Sequence, residues 1–250
     1  MIDLSSDSDL SALCSAWKIG SLLTTWIPET GTIHRTILLK TAQGDYALRA
    51  YRYGSGERWR IVYEHALISF VYARGLPVLP PLCLTDGETI LCQHGQFYAL
   101  YPFARGHQTP KAELSAQEIG AMGQFLAELH QVLRNYPKEQ VHQREFTVDH
   151  DATLAKIAEI EQAICAQPQQ NEHDLQALTR LAQRRNWLTT MPPLTTEGFL
   201  QLEHQVIHGD YQETNVFFNG EKVSAIIDWD QAYVAPGPGR SCERCISPSI

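Results

Sequence analysis

The stretch that most restricts how this chain can fold runs from Val206 to Asp228, "VIHGDYQETNVFFNGEKVSAIID". Val206 and Ile207 read as the end of a buried strand, which His208, Gly209 and Asp210 then interrupt. Asn215 follows five positions after Asp210. Two apolar runs, "VFF" and "VSAII", flank the turn-forming "NGEK", so the segment predicts a β-hairpin. A tight turn on Asn219 and Gly220 would set Asn215 opposite Ser224 and leave Asp228 roughly 13 Å further along, at about 3.3 Å per residue. A four- or five-residue turn brings Asp228 nearly level with Asn215, and that register is the one expected. Asp210, Asn215 and Asp228 then gather at one end of the hairpin.

An acid, an amide and a second acid supply only oxygen ligands and one spare carboxylate, a donor set that suits Mg²⁺ and not zinc or copper. Mg²⁺ usually arrives with phosphates. Phosphoryl transfer needs a carboxylate to accept the nucleophile's proton and a metal held against the phosphates, and this cluster provides both. The Asp-x-x-x-x-Asn spacing is that of the protein-kinase catalytic loop, with Gly209 where that loop has Arg.

The rest of the chain falls into two differently patterned parts. From Thr32 to Leu39 and from Tyr46 to Tyr51 the residues are β-branched and apolar around the turn "AQGD", which predicts a hairpin. Glu57 to Ala73 has helical spacing and ends before Gly75, and short strands follow at Thr89 to Cys92 and Gln96 to Tyr101. "PFARGHQTPK", residues 102–111, has the composition of a connector. Beyond it Ser115 and Glu118 form a capping box, and Ile119, Met122, Leu126, Leu129 and Leu133 line one helix face. Helices are also expected over Asp151 to Ala166 and Asp174 to Leu188, with a short one in "TTEGFLQLEHQ". The expected organisation is therefore α+β: a β-rich part over 1–101, a connector over 102–111, a mainly helical part over 112–235 and an irregular tail over 236–250.

"HGDYQETN" followed by "IIDWD" resembles the aminoglycoside phosphotransferase family, whose relatives include choline and homoserine kinases and which has a two-lobed protein-kinase-like fold. The similarity runs from about Gly31 to Asp230. It implies an ATP-dependent transfer of the γ-phosphoryl group to a hydroxyl of a small molecule, with ATP and Mg²⁺ as cofactors. Carried over by position, Asp210 is the catalytic base, Asn215 and Asp228 hold magnesium, and His208 supports the loop. Family members carry Lys or Arg at the position of Arg49, where it holds the nucleotide's phosphates. Glu64 falls inside the apolar stripe of Ile61, Ile68 and Val71 on its helix. A buried carboxylate is costly without a partner, and Arg49 is the natural one. The nucleotide loop "ETGTIHRT" has one glycine, Gly31, and His34 stands where relatives often have Asn. By the same resemblance the region around Tyr98 to Phe103, which includes Tyr101 and Phe103, would hold the adenine through backbone groups.

Asp230 reads as a helix cap or a solvated loop acid in preference to an aid to the metal, and His65 and His130 as packing or surface residues. The formal net charge of −8 comes with no basic run, so nucleic acid is not an expected partner. No 18 apolar residues run together, and the N-terminus has no basic or apolar leader pattern, so a cytoplasmic chain without a membrane span is expected. Cys242 and Cys245 form a lone C-x-x-C, half of a zinc site, and free thiols are the expected state of the cysteines. The end of the chain, "VAPGPGRSCERCISPSI", shows no periodicity and is expected to be poorly ordered. Relatives continue past it into helices that wall the acceptor pocket. The resemblance thus implies an incomplete helical lobe, an exposed apolar face around Met122 to Leu133 and weakened acceptor phosphorylation. Two other readings are a catalytically silent nucleotide-binding module and a hydrolytic metal site at His208 and Asp210, which lacks the extra histidines it would need.

Overall fold

The structure is a computed structural model that describes residues 7–28, 34–138, 149–190 and 201–237. Gly31, residues 191–200 and everything from 238 onward, including Cys242 and Cys245, lie outside the described residues. The chain divides into two compact units, Met1–Gln143 with His204–Pro238, and Arg144–Glu203 with Gly239–Ile250.

The first unit is built on an antiparallel sheet in the order β1-β2-β3-β5-β4. Its strands are β1 (Leu22–Trp26), β2 (Arg35–Thr41), β3 (Gly44–Tyr51), β4 (Leu91–Gln93) and β5 (Gln96–Pro102). Strand alternation gives the sheet two unlike faces. On one face Ile37, Leu39, Leu48, Ala50 and Leu100 pack against Leu10, Leu13 and Cys14 of helix α1 (Asp7–Cys14), with Trp17 and Ile19 just beyond it. Neither α1 nor β1 was legible in the sequence. On the other face Tyr51, Phe97 and Ala99 meet Ile61 of α2 (Arg58–Tyr72).

Helix α2 also reaches a second core. Leu67, Ile68 and Val71 pack with Phe125, Leu129 and Leu133 of α3 (Ala116–Leu133) and with Val206, Val216, Phe218, Ile226 and Trp229. Each such aliphatic burial is worth roughly 1.5–3 kcal/mol, so α2 is held at both ends. Ser115 caps α3: its Oγ accepts from Glu118 N at 3.1 Å, and Glu118 Oε2 accepts from Ser115 N at 2.9 Å. The apolar face of α3 is rotated from the expected one. Ile119 is exposed and Phe125 is buried instead, because the core touches the later turns of the helix.

Two small two-stranded sheets carry the segment that restricts the fold. β6 (His204–Ile207) pairs antiparallel with β9 (Tyr233–Pro236), so Val234 to Pro236, read as part of an unpatterned tail, form a strand. β7 (Val216–Asn219) and β8 (Lys222–Ile226) form the expected hairpin. Its turn is shorter than expected: Asn219 pairs with Lys222, leaving Gly220 at φ +60° and Glu221 between them. Two features recover the register. The turn sits one residue later than Asn219–Gly220, and Ser224 is bulged out between the Phe217–Ala225 and Phe218–Val223 pairs. Ile227 N consequently donates to Asn215 O at 3.0 Å, with Asp228 the next residue.

The second unit contains α4 (His150–Cys165) and α5 (Glu172–Thr190). Asp149 caps α4 through Ala152 N at 2.8 Å, and an Arg185–Glu161 ion pair joins the two helices. No helix of the described residues is long and apolar enough to cross a membrane.

Candidate active site

The loop from β6 to β7 is shaped by one glycine and one histidine. Gly209 has φ +83°, and a Cβ there would overlap the carbonyl oxygen of Gln231. This close approach explains glycine at a position where a longer residue would force the two loops apart. His208 is buried, and its Nε2 lies 3.0 Å from Ile227 O while its Nδ1 accepts from Asp210 N at 3.3 Å. That bonding fixes the neutral tautomer with the proton on Nε2. Burial lowers the pKa of the ring, which agrees with a neutral histidine. His208 therefore ties the loop bearing Asp210 to the strand end bearing Asp228.

Asp210 and Asn215 are joined directly. Asn215 Nδ2 donates to Asp210 Oδ2 and to Asp210 O, both at 2.9 Å, and Gln212 Nε2 donates to the same Oδ2 at 3.2 Å. Both bonds of the Asn215 amide come from its nitrogen, which turns its oxygen away from Asp210. Asp210 keeps Oδ1 as its second acceptor.

From the first sheet, Arg49 projects from β3 onto the face opposite Leu48. Its Nη1 lies 3.2 Å from Glu64 Oε1 of α2, and its Nη2 lies 2.6 Å from Asp228 Oδ1. One guanidinium thus links β3, α2 and the end of β8. Asp228 holds a left-handed backbone, φ 67° and ψ 62°, and its side chain is partly exposed. Burial drives Glu64 up to about 7 against the pull of Arg49, with Asp230 and Asp228 adding to the rise. The guanidinium remains charged: burial works against its charge, but Glu64 and the other groups around it outweigh that and raise its pKa.

The structure also revises the reading of Asp230. Its side chain is buried, not solvated, with Oδ2 3.4 Å from His34 Nε2 and 3.9 Å from Arg49 Nη2. Burial raises its pKa, but the His34 ring and the charge of Arg49 beside it hold it below the usual carboxylate range. His34 is itself buried, and its Nδ1 accepts from Arg52 N at 3.2 Å. Sequence spacing carries no signal for this contact, because the two residues are 196 positions apart (230 minus 34). Tyr101 turns its hydroxyl into the interior, 2.7 Å from Tyr51 Oη, and Phe103 N donates to Asp45 O at 3.2 Å. The connector is fastened to the hairpin: His107 and Phe218 exchange backbone bonds of 3.0 and 2.8 Å, and the bulged Ser224 donates to Arg105 O at 2.7 Å.

Among the described residues no three His, Cys, Asp or Glu side chains form a metal cage. An amide oxygen and one partly exposed carboxylate at the hairpin end instead fit a cation that keeps waters and takes the rest of its ligands from phosphates, as Mg²⁺ does.

Comparison with known proteins places the chain in a family. A sequence model of the phosphotransferase enzyme family matches residues 27–236. The chain is 30% identical over 224 residues to a homoserine kinase of Methylobacterium radiotolerans, covering 90% of this chain and 64% of that protein. It is 27% identical over 225 residues to a homoserine kinase of Rhizobium meliloti, covering 89% of this chain and 63% of that protein. It thus spans a little under two thirds of the length of these relatives. Its fold is similar to that of spectinomycin phosphotransferase solved with ADP and spectinomycin, with a TM-score of 0.64 and 17% identity, over 92% of this chain and 70% of the other. An amicoumacin kinase gives a TM-score of 0.58 at 14% identity, over 92% of this chain and 65% of the other.

Proposed function

Since the chain belongs to the phosphotransferase enzyme family, we propose that it transfers the γ-phosphoryl group of ATP to a hydroxyl of a small molecule: an aminoglycoside, an amino alcohol or homoserine. The observation that carries this reading is the position of Arg49, which reaches from the first sheet to Glu64 and to Asp228 beside the Asp210–Asn215 pair. Arg49, Asp210, Asn215 and Asp228 thereby meet at one hairpin end, which supports reading them as a phosphate clamp, a base and a pair of oxygen ligands. An interaction module without catalysis would have no use for that convergence.

In this reading Asp210 accepts the acceptor's hydroxyl proton on Oδ1, since Oδ2 is already taken by Asn215 and Gln212. Arg49 binds phosphate oxygens through its planar fork. Asn215 and Asp228 would hold Mg²⁺, which when bound neutralises charge on the phosphates. Backbone groups around Tyr101 to Phe103 would border the adenine, and residues 102–111 would separate a nucleotide lobe from a catalytic lobe. The free thiols of Cys14, Cys83, Cys92 and Cys165 fit a reducing, cytoplasmic setting for an ATP-dependent step.

Coupled ADP release over a panel of homoserine, amino alcohols and aminoglycosides tests the reading. Asp210→Asn should cut turnover by roughly 10² to 10⁴ while ATP affinity stays near its original value. An Asp210→Asn variant that turns over at the unmodified rate would refute the assignment of the base.

A further inference from the structure

Tyr51 is fully buried at the end of β3. Phenylalanine would fill the same space, so the hydroxyl is the informative atom. It lies 3.1 Å from Glu64 Oε2, 2.7 Å from Tyr101 Oη and 3.2 Å from His65 Nε2. Tyr101 Oη is also 3.0 Å from His65 Nε2, and His65 Nδ1 is 2.6 Å from Thr89 Oγ1. A phenol has one proton for these three neighbours. Ionised Glu64 only accepts, and it is the strongest acceptor of the three, so the Tyr51 proton goes to it. The Tyr101 proton is then given to Tyr51 or to His65.

The two oxygens of Glu64 are consequently held by two residues of one strand face, Oε1 by Arg49 and Oε2 by Tyr51. The carboxylate cannot turn without breaking one of them. Burial lowers His65 to about 3, so the ring behind the tyrosines is neutral and brings no competing cation. The charged or titratable groups facing Glu64 are Arg49 and Tyr51 from β3, Tyr53 just after it, Tyr101 from β5, and Asp228 and Asp230 from the segment after β8, with His65 beside it on α2.

We propose that Tyr51 is a positioning residue for the phosphate clamp: its hydroxyl, steadied by Tyr101 and His65, fixes the Glu64 carboxylate, which in turn fixes the Arg49 guanidinium. The role rests on the reading of Arg49 as the group that binds ATP phosphates. It adds a reason for a polar network behind α2 where an apolar core would pack equally well.

Tyr51→Phe removes one oxygen and keeps the packing. At pH 7 it should raise the KM for ATP roughly tenfold, the usual worth of a hydrogen bond to a charged group, with kcat changed less. In a Glu64→Gln background the same substitution should add less than about twofold. Urea unfolding gives a readout that needs no turnover. The effect of Tyr51→Phe on the unfolding equilibrium should grow about tenfold from pH 6 to pH 8, as Glu64 ionises, and should be flat with pH when residue 64 is Gln. An effect that is flat with pH in the Glu64 protein, or equally large in both backgrounds, would overturn the proposal and leave Tyr51 a packing residue. A chain that never turns over ATP but shows the coupled unfolding result would count against the phosphotransferase reading and for the positioning role.

Discussion

Glu64 and Glu118 are both glutamates on helices, yet the fold drives their acidities in opposite directions. Burial, only partly offset by Arg49, raises Glu64 to about 7. Hydrogen bonds lower Glu118 to about 2, first from the Thr109 hydroxyl and then from the backbone and side chain of Ser115. Those bonds are 2.7 Å from Thr109 Oγ1 and 2.9 Å each from Ser115 N and Oγ. Glu118 lies near the surface in the first turn of α3, where neutral donors and the helix N-terminus all favour its charged form. Glu64 lies in the interior with one cation, one hydroxyl and two further acids nearby. A carboxylate surrounded by dipoles is an inexpensive fastener, whereas one held in apolar depth sits near its own protonation at neutral pH. The first ties the connector to α3; the second belongs to the candidate phosphate clamp.

The sharpest way to separate the two is to remove a partner from each. Arg49→Met should lower kcat/KM by on the order of 10³, the loss that accompanies removal of a transition-state arginine. Thr109→Val, which takes the shortest bond from Glu118, should leave kcat/KM within about twofold. Steady-state kinetics of the two variants with one acceptor decide the point. A matching loss in Thr109→Val would mean that the connector's fastening is also part of the site.

The next contrast is in stability against pH, measured by urea unfolding from pH 4 to pH 8. Glu64 is protonated more readily folded than unfolded, so its contribution is complete below about 4.5 and is lost as pH rises through about 7. The span between those values is worth about 3 kcal/mol. Glu64→Gln should remove that decline and make the protein more stable at pH 8 than the unmodified chain. A decline that survives Glu64→Gln would show that another group carries it.

What the sequence could reveal differs between the two acids for a physical reason. The capping box of Ser115 and Glu118 is local, three residues apart, and the Arg49–Glu64 pair could be inferred because strand and helix periodicities each place one residue on a defined face. Asp210, Asn215 and Asp228 could be brought together from hairpin logic, although the turn is tight and a bulge at Ser224 supplies part of the register. A bulge depends on tertiary contact, here with Arg105 of the connector, and no local pattern announces it. Asp230 and His34, and the Tyr51–Tyr101–His65 group, join residues distant in sequence through single side-chain contacts. Helix α1 and strand β1 were missed because neither has strong periodicity, and their burial is decided by the sheet they cover.

The smallest effect expected, and the one that best tests the surface acid, comes from Ser115→Ala. The substitution deletes the Oγ that accepts from Glu118 N and that donates to Glu118 Oε2. Loss of the cap should cost about 1 kcal/mol at neutral pH. The sign of its pH dependence opposes that of Glu64. The carboxyl of Glu118 is more acidic folded than unfolded, so the stability it contributes is present above about 4.5 and is lost as pH falls toward about 2. With one donor gone, Glu118 moves back toward its ordinary value, and less stability remains to be lost on acidification. The difference between Ser115→Ala and the unmodified chain should therefore shrink as pH is lowered from 5 toward 2, leaving only the bond to Glu118 N. It should not change between pH 6 and 8, where the Glu64 variants differ most. Chemical unfolding of the two proteins at pH 3, 5 and 8 resolves both statements. A Ser115→Ala effect that grows above pH 6, or one accompanied by a change in the KM for ATP, would show that the acid at the head of α3 and the acid inside α2 are coupled instead of independent.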